Sequence, residues 1–98
     1  MTINKTKQEK ELTVALEGRL DTSTSPELEA ALKDDLNGVE SLIFDLEKLE
    51  YISSAGLRVL LAAQKTMNKQ GTMKIVHAGE IVKEVFDVTG FTDILTIE

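Results

Sequence analysis

One stretch of the sequence, residues 41–63, restricts the possible folds of this chain more than any other. It opens with Ser41-Leu-Ile-Phe-Asp-Leu46, an apolar run interrupted only by Asp45, which is typical of a strand covered on both faces. After a short crossover at residues 47–50, leucines recur with the period of a helix that packs one side on a sheet, at positions 57, 60 and 61. The stretch therefore predicts a buried strand that leads into an amphipathic helix.

Two adjacent serines, Ser53 and Ser54, stand where this helix begins. Serine is a preferred N-cap because its side-chain oxygen accepts a hydrogen bond from an otherwise unpaired helical N–H group. The free N–H groups and the helix dipole also favour a negative charge at this point. One serine is therefore expected to be a cap, and the pair is also a candidate functional site; the residues alone leave both interpretations open.

Two strands, a loop and a helix are predicted before this unit. Residues 2–7 and 12–17 alternate around a polar turn, which predicts an antiparallel hairpin. The hydroxyl-rich residues 18–25 are typical of a loop. Pro26 suits the first turn of a helix, with Ser25 or Thr24 as its cap, and Asn37-Gly38 is expected to end that helix. Its buried side is predicted at Leu28, Ala31, Leu32 and Leu36.

The remaining residues predict a strand, a helix and a last strand. The middle helix is expected to end near Gln70-Gly71, and Met73–His77 is expected to form a short strand. A third helix, closed by Thr89-Gly90, is predicted to bury Ile81, Val82, Val85 and Phe86. Residues 94–97 can form a final edge strand.

The predicted order of elements is therefore β-β-α-β-α-β-α-β. Strands that alternate with helices favour an α/β fold with right-handed crossovers. We expect a mixed, mainly parallel sheet of four to five strands. A chain of 98 residues has room for one core, so residues 1–98 are expected to form a single domain.

Charge and composition exclude several classes of function. The chain carries 11 Lys and Arg against 17 Asp and Glu, a net charge of −6 that repels nucleic-acid phosphates and acidic lipid. We therefore expect no nucleic-acid or membrane partner, and a protein with a basic face fits better. Cysteine is absent, which excludes thiol chemistry. The first residues lack the apolar segment of a secretion signal, so a cytoplasmic location is expected.

The inventory of reactive residues argues against an enzyme. His77 is the only histidine, and Ser53-Ser-Ala-Gly56 is not the Gly-x-Ser-x-Gly elbow of a hydrolase. A zinc site built on nitrogen and sulfur ligands cannot be assembled from a single histidine. Four acidic residues could in principle hold magnesium, but a solvated acidic rim is favoured: Asp21, Asp45, Glu47 and Glu50. No nucleotide-binding motif occurs, so neither a cofactor nor a metal is expected.

Three segments resemble the motifs of one known family, the STAS domains, in particular the stand-alone bacterial anti-sigma-factor antagonists. Asp45-Leu-Glu-Lys-Leu-Glu-Tyr-Ile-Ser-Ser-Ala-Gly-Leu57 resembles the family's strand, aromatic-apolar pair and Asp/Ser-Ser-x-Gly-Leu helix start. Gly18-Arg-Leu-Asp21 resembles its Gly-x-Leu/Phe-Asp loop, and Val85-Phe-Asp-Val-Thr-Gly-Phe91 resembles its last helix and exit. The similarity extends from about Ile3 to Ile97.

The resemblance implies a phosphorylation-controlled binding switch. In such antagonists the phosphoacceptor follows the motif's Asp directly, a position that corresponds to Ser54 here. Ser53 occupies the Asp position, so Ser53 is the second candidate. The unmodified domain would bind an anti-sigma factor that is a serine kinase and release the sigma factor; a protein phosphatase would reset the switch. The implied partner-binding residues are Asp21, Thr22, Ser53, Ser54, Ala55 and Gly56.

A second hypothesis keeps the fold without the switch. The chain would then be a constitutive STAS scaffold or a ligand-sensing module in a larger signalling assembly. A lipid or anion carrier is a third class, for which the sequence gives no sign of a cavity. In each case the expected state of the chain itself is a monomer.

Overall fold

Four strands and three helices alternate along the chain, and the structure, a computed structural model, describes all of residues 1–98. In chain order they are β1 (Thr2–Gln8), β2 (Glu11–Leu20), α1 (Ser25–Leu32), β3 (Ser41–Ile52), α2 (Ser54–Met67), β4 (Thr72–Val76) and α3 (Glu80–Thr89). A short 3-10 helix follows at Phe91–Asp93. The predicted order is confirmed as far as α3, but the expected last strand is reduced to one parallel bridge between Ile75 and Ile97.

The strands form one mixed sheet in the order β1-β2-β3-β4. β1 is antiparallel to β2, whereas β2, β3 and β4 are parallel neighbours. The sheet thus confirms the predicted mixed, mainly parallel α/β arrangement. Since parallel connections are right-handed and both step in the same direction across the sheet, α1 and α2 pack on the same face. A membrane span would need a longer and more apolar helix than α1, α2 or α3.

The core lies between this face of the sheet and the helices. Alternate side chains of the strands enter it, and the bulkiest fully buried ones are Phe44 on β3 and Phe86 on α3. Ile43 and Asp45, on the other face of β3, are only half-buried. The prediction that β3 is covered on both faces was therefore wrong, because every helix packs on one side. We call the other side the open face.

β3 continues six residues beyond the predicted strand end at Leu46, through the segment that was expected to be a crossover. Its pairing with β2 is irregular at two places. Ala15 pairs with Asp45 but Glu17 pairs with Lys48, and Gly18 pairs with Leu49 but Arg19 pairs with Tyr51. Each leaves one extra residue on β3, as in a β-bulge. Leu49 and Ile52 consequently return to the core at intervals of three residues instead of two.

Other boundaries also differ from the prediction. β2 continues to Leu20, which shortens the hydroxyl-rich loop to residues 21–24. α1 ends at Leu32 and not at Asn37-Gly38, although successive turns follow it and Leu36 is still buried. Ile81 is 64% exposed, not buried as predicted. Val82 and Phe86 define the inward side of α3, and Ile81 lies about 100° around the helix axis from Val82.

Candidate functional site

The two loops that carry the predicted site residues meet at one edge of the sheet. Because β2 and β3 are parallel, the segments that follow them leave the sheet side by side. Leu20 pairs with Ile52, and the Ser53 amide donates a hydrogen bond of 2.9 Å to the Leu20 carbonyl. We call residues 21–24 and 53–56 together the Ser54 surface.

The two serines have different roles in the helix start. Ser53 is the N-cap of α2, and its hydroxyl lies 3.5 Å from the Gly56 amide, from which it accepts a hydrogen bond. Its extended backbone, with φ −101° and ψ 177°, is the usual conformation of a cap. Ser54 is the first residue of α2, and its hydroxyl is exposed and forms no hydrogen bond within the chain. The structure thus assigns the cap to Ser53 and leaves Ser54 free.

Gly56 lets the first turn of α2 pack closely on the sheet. A Cβ atom at this position would lie 2.7 Å from Leu20 Cγ and 2.9 Å from Ile52 Cγ1, well inside contact distance. Gly56 is buried, and it allows the close packing of the turn on which Ser54 lies. Ala55 is half-buried beside it. Leu57, on the same turn, belongs to the core.

The loop between β2 and α1 is organised by Asp21. Its Oδ1 atom accepts hydrogen bonds from the Ser23 hydroxyl at 2.8 Å and from the Ser23 and Thr24 amides at 3.0 and 3.2 Å. Its backbone carbonyl accepts a bond from the Ser25 amide at 2.8 Å, which starts α1. Thr22, at the loop tip, is exposed. Asp21 thus binds mainly its own loop and fixes the conformation of the residues that follow it.

These contacts lower the pKa of Asp21 below its ordinary value of 3.8. The hydrogen bond from the Ser23 hydroxyl is the largest cause; partial burial acts in the opposite direction, and the amides of Thr24 and Ser23 add to the lowering. The carboxylate is therefore the form that the loop stabilises. At neutral pH this site carries a negative charge that is already bonded within the chain.

Replacing Asp21 with asparagine is expected to lower the free energy of unfolding at neutral pH and to lower it much less in acid. The pKa of Asp21 is lower in the folded protein than in the unfolded chain, so its carboxylate stabilises the fold at pH values above the unfolded-state pKa. This contribution is lost as the pH falls through the lower, folded-state pKa. Urea unfolding of wild type and Asp21→Asn at pH 7 and at roughly pH 3 measures the difference. Asp34→Asn is the control, because Asp34 is exposed and its side chain forms no hydrogen bond or ion pair. A stability gap independent of pH would contradict the assignment.

Arg19 and Tyr51 flank the site, although the sequence did not single them out. They pair across β2 and β3, and the Arg19 guanidinium carbon lies 4.3 Å from the centre of the Tyr51 ring. Arg19 Nε is also 3.7 Å from Asp21 Oδ2. Their pairing depends on the irregular register of two strands, for which the sequence carries no direct signal.

The acidic residues considered for a metal do not form one group. Asp21 belongs to the Ser54 surface, whereas Asp45 and Glu47 lie further back along β3. His77, expected at a strand end, follows β4, and its Nδ1 atom is 3.0 Å from Asp45 Oδ1. The Ser54 surface itself therefore offers a free hydroxyl and unpaired amides, and no set of metal ligands.

A family model and two curated proteins each match most of the chain. A family model described as the STAS domain matches residues 2–98. Among curated proteins, BtrV of Bordetella bronchiseptica, provisionally named as an anti-sigma factor antagonist, is 35% identical over 88 residues, which cover 88% of this chain and 76% of that protein. The anti-sigma-B factor antagonist of Staphylococcus aureus is 28% identical, with 99% of this chain and 92% of that protein covered.

Solved structures share the fold. The anti-sigma factor antagonist SpoIIAA in its unphosphorylated form superimposes with a TM-score of 0.86 at 17% identity, covering 99% of this chain and 88% of that one. The phosphorylated form of SpoIIAA, described as a Bacillus cell fate determinant, gives a TM-score of 0.77 at 16% identity, covering 99% and 91%. At these identities the similarity establishes the architecture alone.

Proposed function

The chain belongs to the STAS domain family, and on this premise we propose that it is an anti-sigma factor antagonist whose binding is switched by phosphorylation of Ser54. The antagonist role is supported by the two curated relatives, and such proteins are regulators and not enzymes. The single observation that carries the switch is the free, exposed hydroxyl of Ser54 at the first residue of α2.

Ser54 suits a kinase better than Ser53 does. An acceptor hydroxyl has to enter another protein's active site, and the Ser54 hydroxyl is both exposed and unbonded. The Ser53 hydroxyl already accepts a hydrogen bond from the Gly56 amide, so modifying Ser53 would remove a helix cap. A lost cap typically costs about 1 kcal/mol. Phosphorylation of Ser53 would thus disturb the fold, whereas phosphorylation of Ser54 would not.

The fold should tolerate a phosphate on Ser54. At the first residue of a helix the nearest amides have no intrahelical acceptor, and the dipole favours an anion by roughly 0.3–1 kcal/mol. Phosphorylation adds about −1.5 to −2 charges to the Ser54 surface. Before modification that surface presents chiefly hydroxyl groups, because the Asp21 carboxylate is engaged by its own loop. The phosphate would therefore dominate the local charge.

The same charge would oppose docking. A partner that packs on Ser54 would bury the phosphate, and an uncompensated buried charge costs on the order of 3–5 kcal/mol. That corresponds to about 2–3.5 decades in affinity. The favourable interaction of the phosphate with the α2 dipole, roughly 0.3–1 kcal/mol, is too small to offset this cost. Phosphorylation could therefore abolish binding and leave the domain folded, which is the property a reversible switch needs.

The proposed partner is an anti-sigma factor that is also the serine kinase acting on Ser54. The unmodified domain would occupy this partner and so release the sigma factor. ATP and its metal would be supplied by the kinase, and a separate protein phosphatase would restore the free hydroxyl. A net charge of −6 on the antagonist favours a partner with a basic docking face.

Phosphorylation by the cognate kinase tests the proposal directly. The protein is incubated with the anti-sigma factor of the same organism and ATP, and the phosphate is located by mass spectrometry. We expect one phosphate on Ser54 in the wild type and in a Ser53→Ala variant, and none in a Ser54→Ala variant. A phosphate that persists in Ser54→Ala would move the acceptor elsewhere and contradict the assignment.

The scaffold alternative predicts a different outcome of the same experiment. The wild type would form a stable stoichiometric complex without becoming phosphorylated, and Ser54→Ala would leave its affinity unchanged. That result would retain the family assignment and reject the switch. Because both variants change one small exposed or capping hydroxyl, circular dichroism before the assay is sufficient to confirm that each is folded.

A further inference from the structure

A second group of potential ligands lies apart from the Ser54 surface, next to the first bulge of β3. One carboxylate oxygen each of Asp45 and Glu47 and one ring nitrogen of His77 all lie within 4.8 Å of one another. We propose that these three side chains bind a divalent transition-metal ion, with Zn²⁺ as the best match. The proposal does not depend on the proposed function of Ser54.

The fold brings the three residues together from two strands. Asp45 and Glu47 are two residues apart on β3, and the Glu47 amide donates a hydrogen bond of 3.1 Å to Asp45 Oδ1. Asp45 pairs with Val76, the last residue of β4, so His77 follows at once beside it. His77 has a left-handed backbone with φ 60°, and its ring reaches Asp45 with Nδ1 3.0 Å from Oδ1. The ligand atoms therefore converge before any ion is bound.

The charge of the cluster is largely uncompensated. The only ion-pair contact of Asp45 is with the His77 ring, and Glu47 forms no ion pair. Lys48 is adjacent in sequence, but its amine forms no ion pair with these carboxylates. Glu17 lies on the neighbouring strand in the same shallow depression and accepts a hydrogen bond from Asn4. The two carboxylates thus provide negative charge that a divalent cation can balance.

The donor types select the ion. Imidazole nitrogen together with carboxylate oxygen suits Zn²⁺ and its first-row neighbours, whereas Mg²⁺ and Ca²⁺ prefer oxygen ligands alone. Ligand–metal distances of about 2.0–2.2 Å for Zn²⁺ require small movements of the exposed Glu47 and His77 side chains toward the half-buried Asp45. Three protein ligands leave a fourth position of a tetrahedral site open to water. Such a site binds the ion without enclosing it.

The expectation from the sequence that no zinc site is possible counted nitrogen and sulfur ligands only. One histidine is indeed too few on that count. The fold brings His77 to Asp45, 32 positions away in the chain. Asp45 and Glu47 then add two carboxylates to the possible metal ligands. A bound ion would tie β3 to the segment between β4 and α3. It would thereby stabilise the start of α3 without touching Ser54.

Calorimetric titration of the untagged protein with Zn²⁺ alone tests the site, with Mg²⁺ as the comparison ion. We expect one Zn²⁺ per chain, little response to Mg²⁺, and a rise in Tm with Zn²⁺ that a chelator reverses. In His77→Asn the affinity should fall by at least about tenfold, since even the loss of a hydrogen-bonding partner of a ligand commonly costs about 10–100-fold. Asparagine is chosen because it tolerates a left-handed backbone.

Glu50→Gln is the matched control: Glu50 is an exposed acid on the same strand but lies outside the cluster. It should bind Zn²⁺ as the wild type does. Asp45→Asn, which can keep the hydrogen bond from the Glu47 amide, should weaken binding as His77→Asn does. Absence of Zn²⁺ binding below roughly millimolar concentration, or binding that both cluster variants leave unchanged, would overturn the proposal.

Discussion

Replacing Ser54 with aspartate is expected to weaken binding to the anti-sigma partner by roughly 100-fold or more while the domain stays as stable as the wild type. The substitution places a permanent negative charge at the point where the partner docks, and burying it without a matching cation costs on the order of 3–5 kcal/mol. In the free protein the same charge lies in the first turn of α2, where it is favourable by roughly 0.3–1 kcal/mol.

Titration calorimetry for affinity and thermal unfolding for stability measure the two effects separately. Ser54→Asn is the matched control, because asparagine resembles aspartate in size but carries no charge. We expect Ser54→Asn to bind much more tightly than Ser54→Asp, with similar Tm values for both. Equal affinities for the two variants would show that volume and not charge matters at this position, and would contradict an electrostatic switch.

Gly71→Ala is expected to produce the largest loss of stability among the variants considered, on the order of 1–3 kcal/mol or more. A Cβ atom on Gly71 would lie 1.9 Å from the Glu40 carbonyl oxygen, a backbone atom that cannot rotate away. Relief of this clash would separate the starts of β3 and β4, where the Thr72 amide donates a 2.9 Å hydrogen bond to the same oxygen. Tm should fall by about 4–8 °C for each kcal/mol lost.

Gly79→Ala provides the matched comparison on the other side of β4. A Cβ atom there would meet nothing within 4 Å, and the backbone angles of φ −73° and ψ 171° are open to alanine. Gly79 is the N-cap of α3, a position where alanine is less favoured than glycine, so a loss of up to about 1 kcal/mol is expected there, smaller than at Gly71. Urea unfolding of both variants gives the free energies. Similar losses at the two positions would indicate that chain flexibility, and not the contact with Glu40, requires glycine at position 71.

Local patterns predicted the elements well where one physical cause dominated. The alternation of Leu12, Val14 and Leu16 gave the second strand of the hairpin because the other side of that strand faces away from the core. The predicted end of β3 was wrong because Leu46, Leu49 and Ile52 are spaced by three, which matches neither the strand nor the helix period. Bulges explain that spacing, but only pairing with β2 shows where they lie.

The candidate site was predictable in part for a similar reason. A serine pair before an apolar helical stripe marks a helix start, and the motif resemblance pointed to Ser54. Which serine caps the helix depends on the placement of the Ser53 hydroxyl near the Gly56 amide. The inward orientation of the Asp21 carboxylate depends likewise on the loop geometry. Both features depend on where a side-chain oxygen lies to within a few ångströms, and the residue types alone do not specify that position.

Periodicity and capping act between near neighbours in the chain. For this reason the residues alone were enough to predict the order of elements from β1 to α3, the aliphatic core and two hydroxyls at a helix start. The pairing of Leu20 with Ile52, which brings the Asp21 loop beside Ser54, and the approach of His77 to Asp45 and Glu47 became visible in the three-dimensional fold. Those contacts join residues about 30 positions apart. They follow from the register of parallel strands, which is set by how the whole core packs.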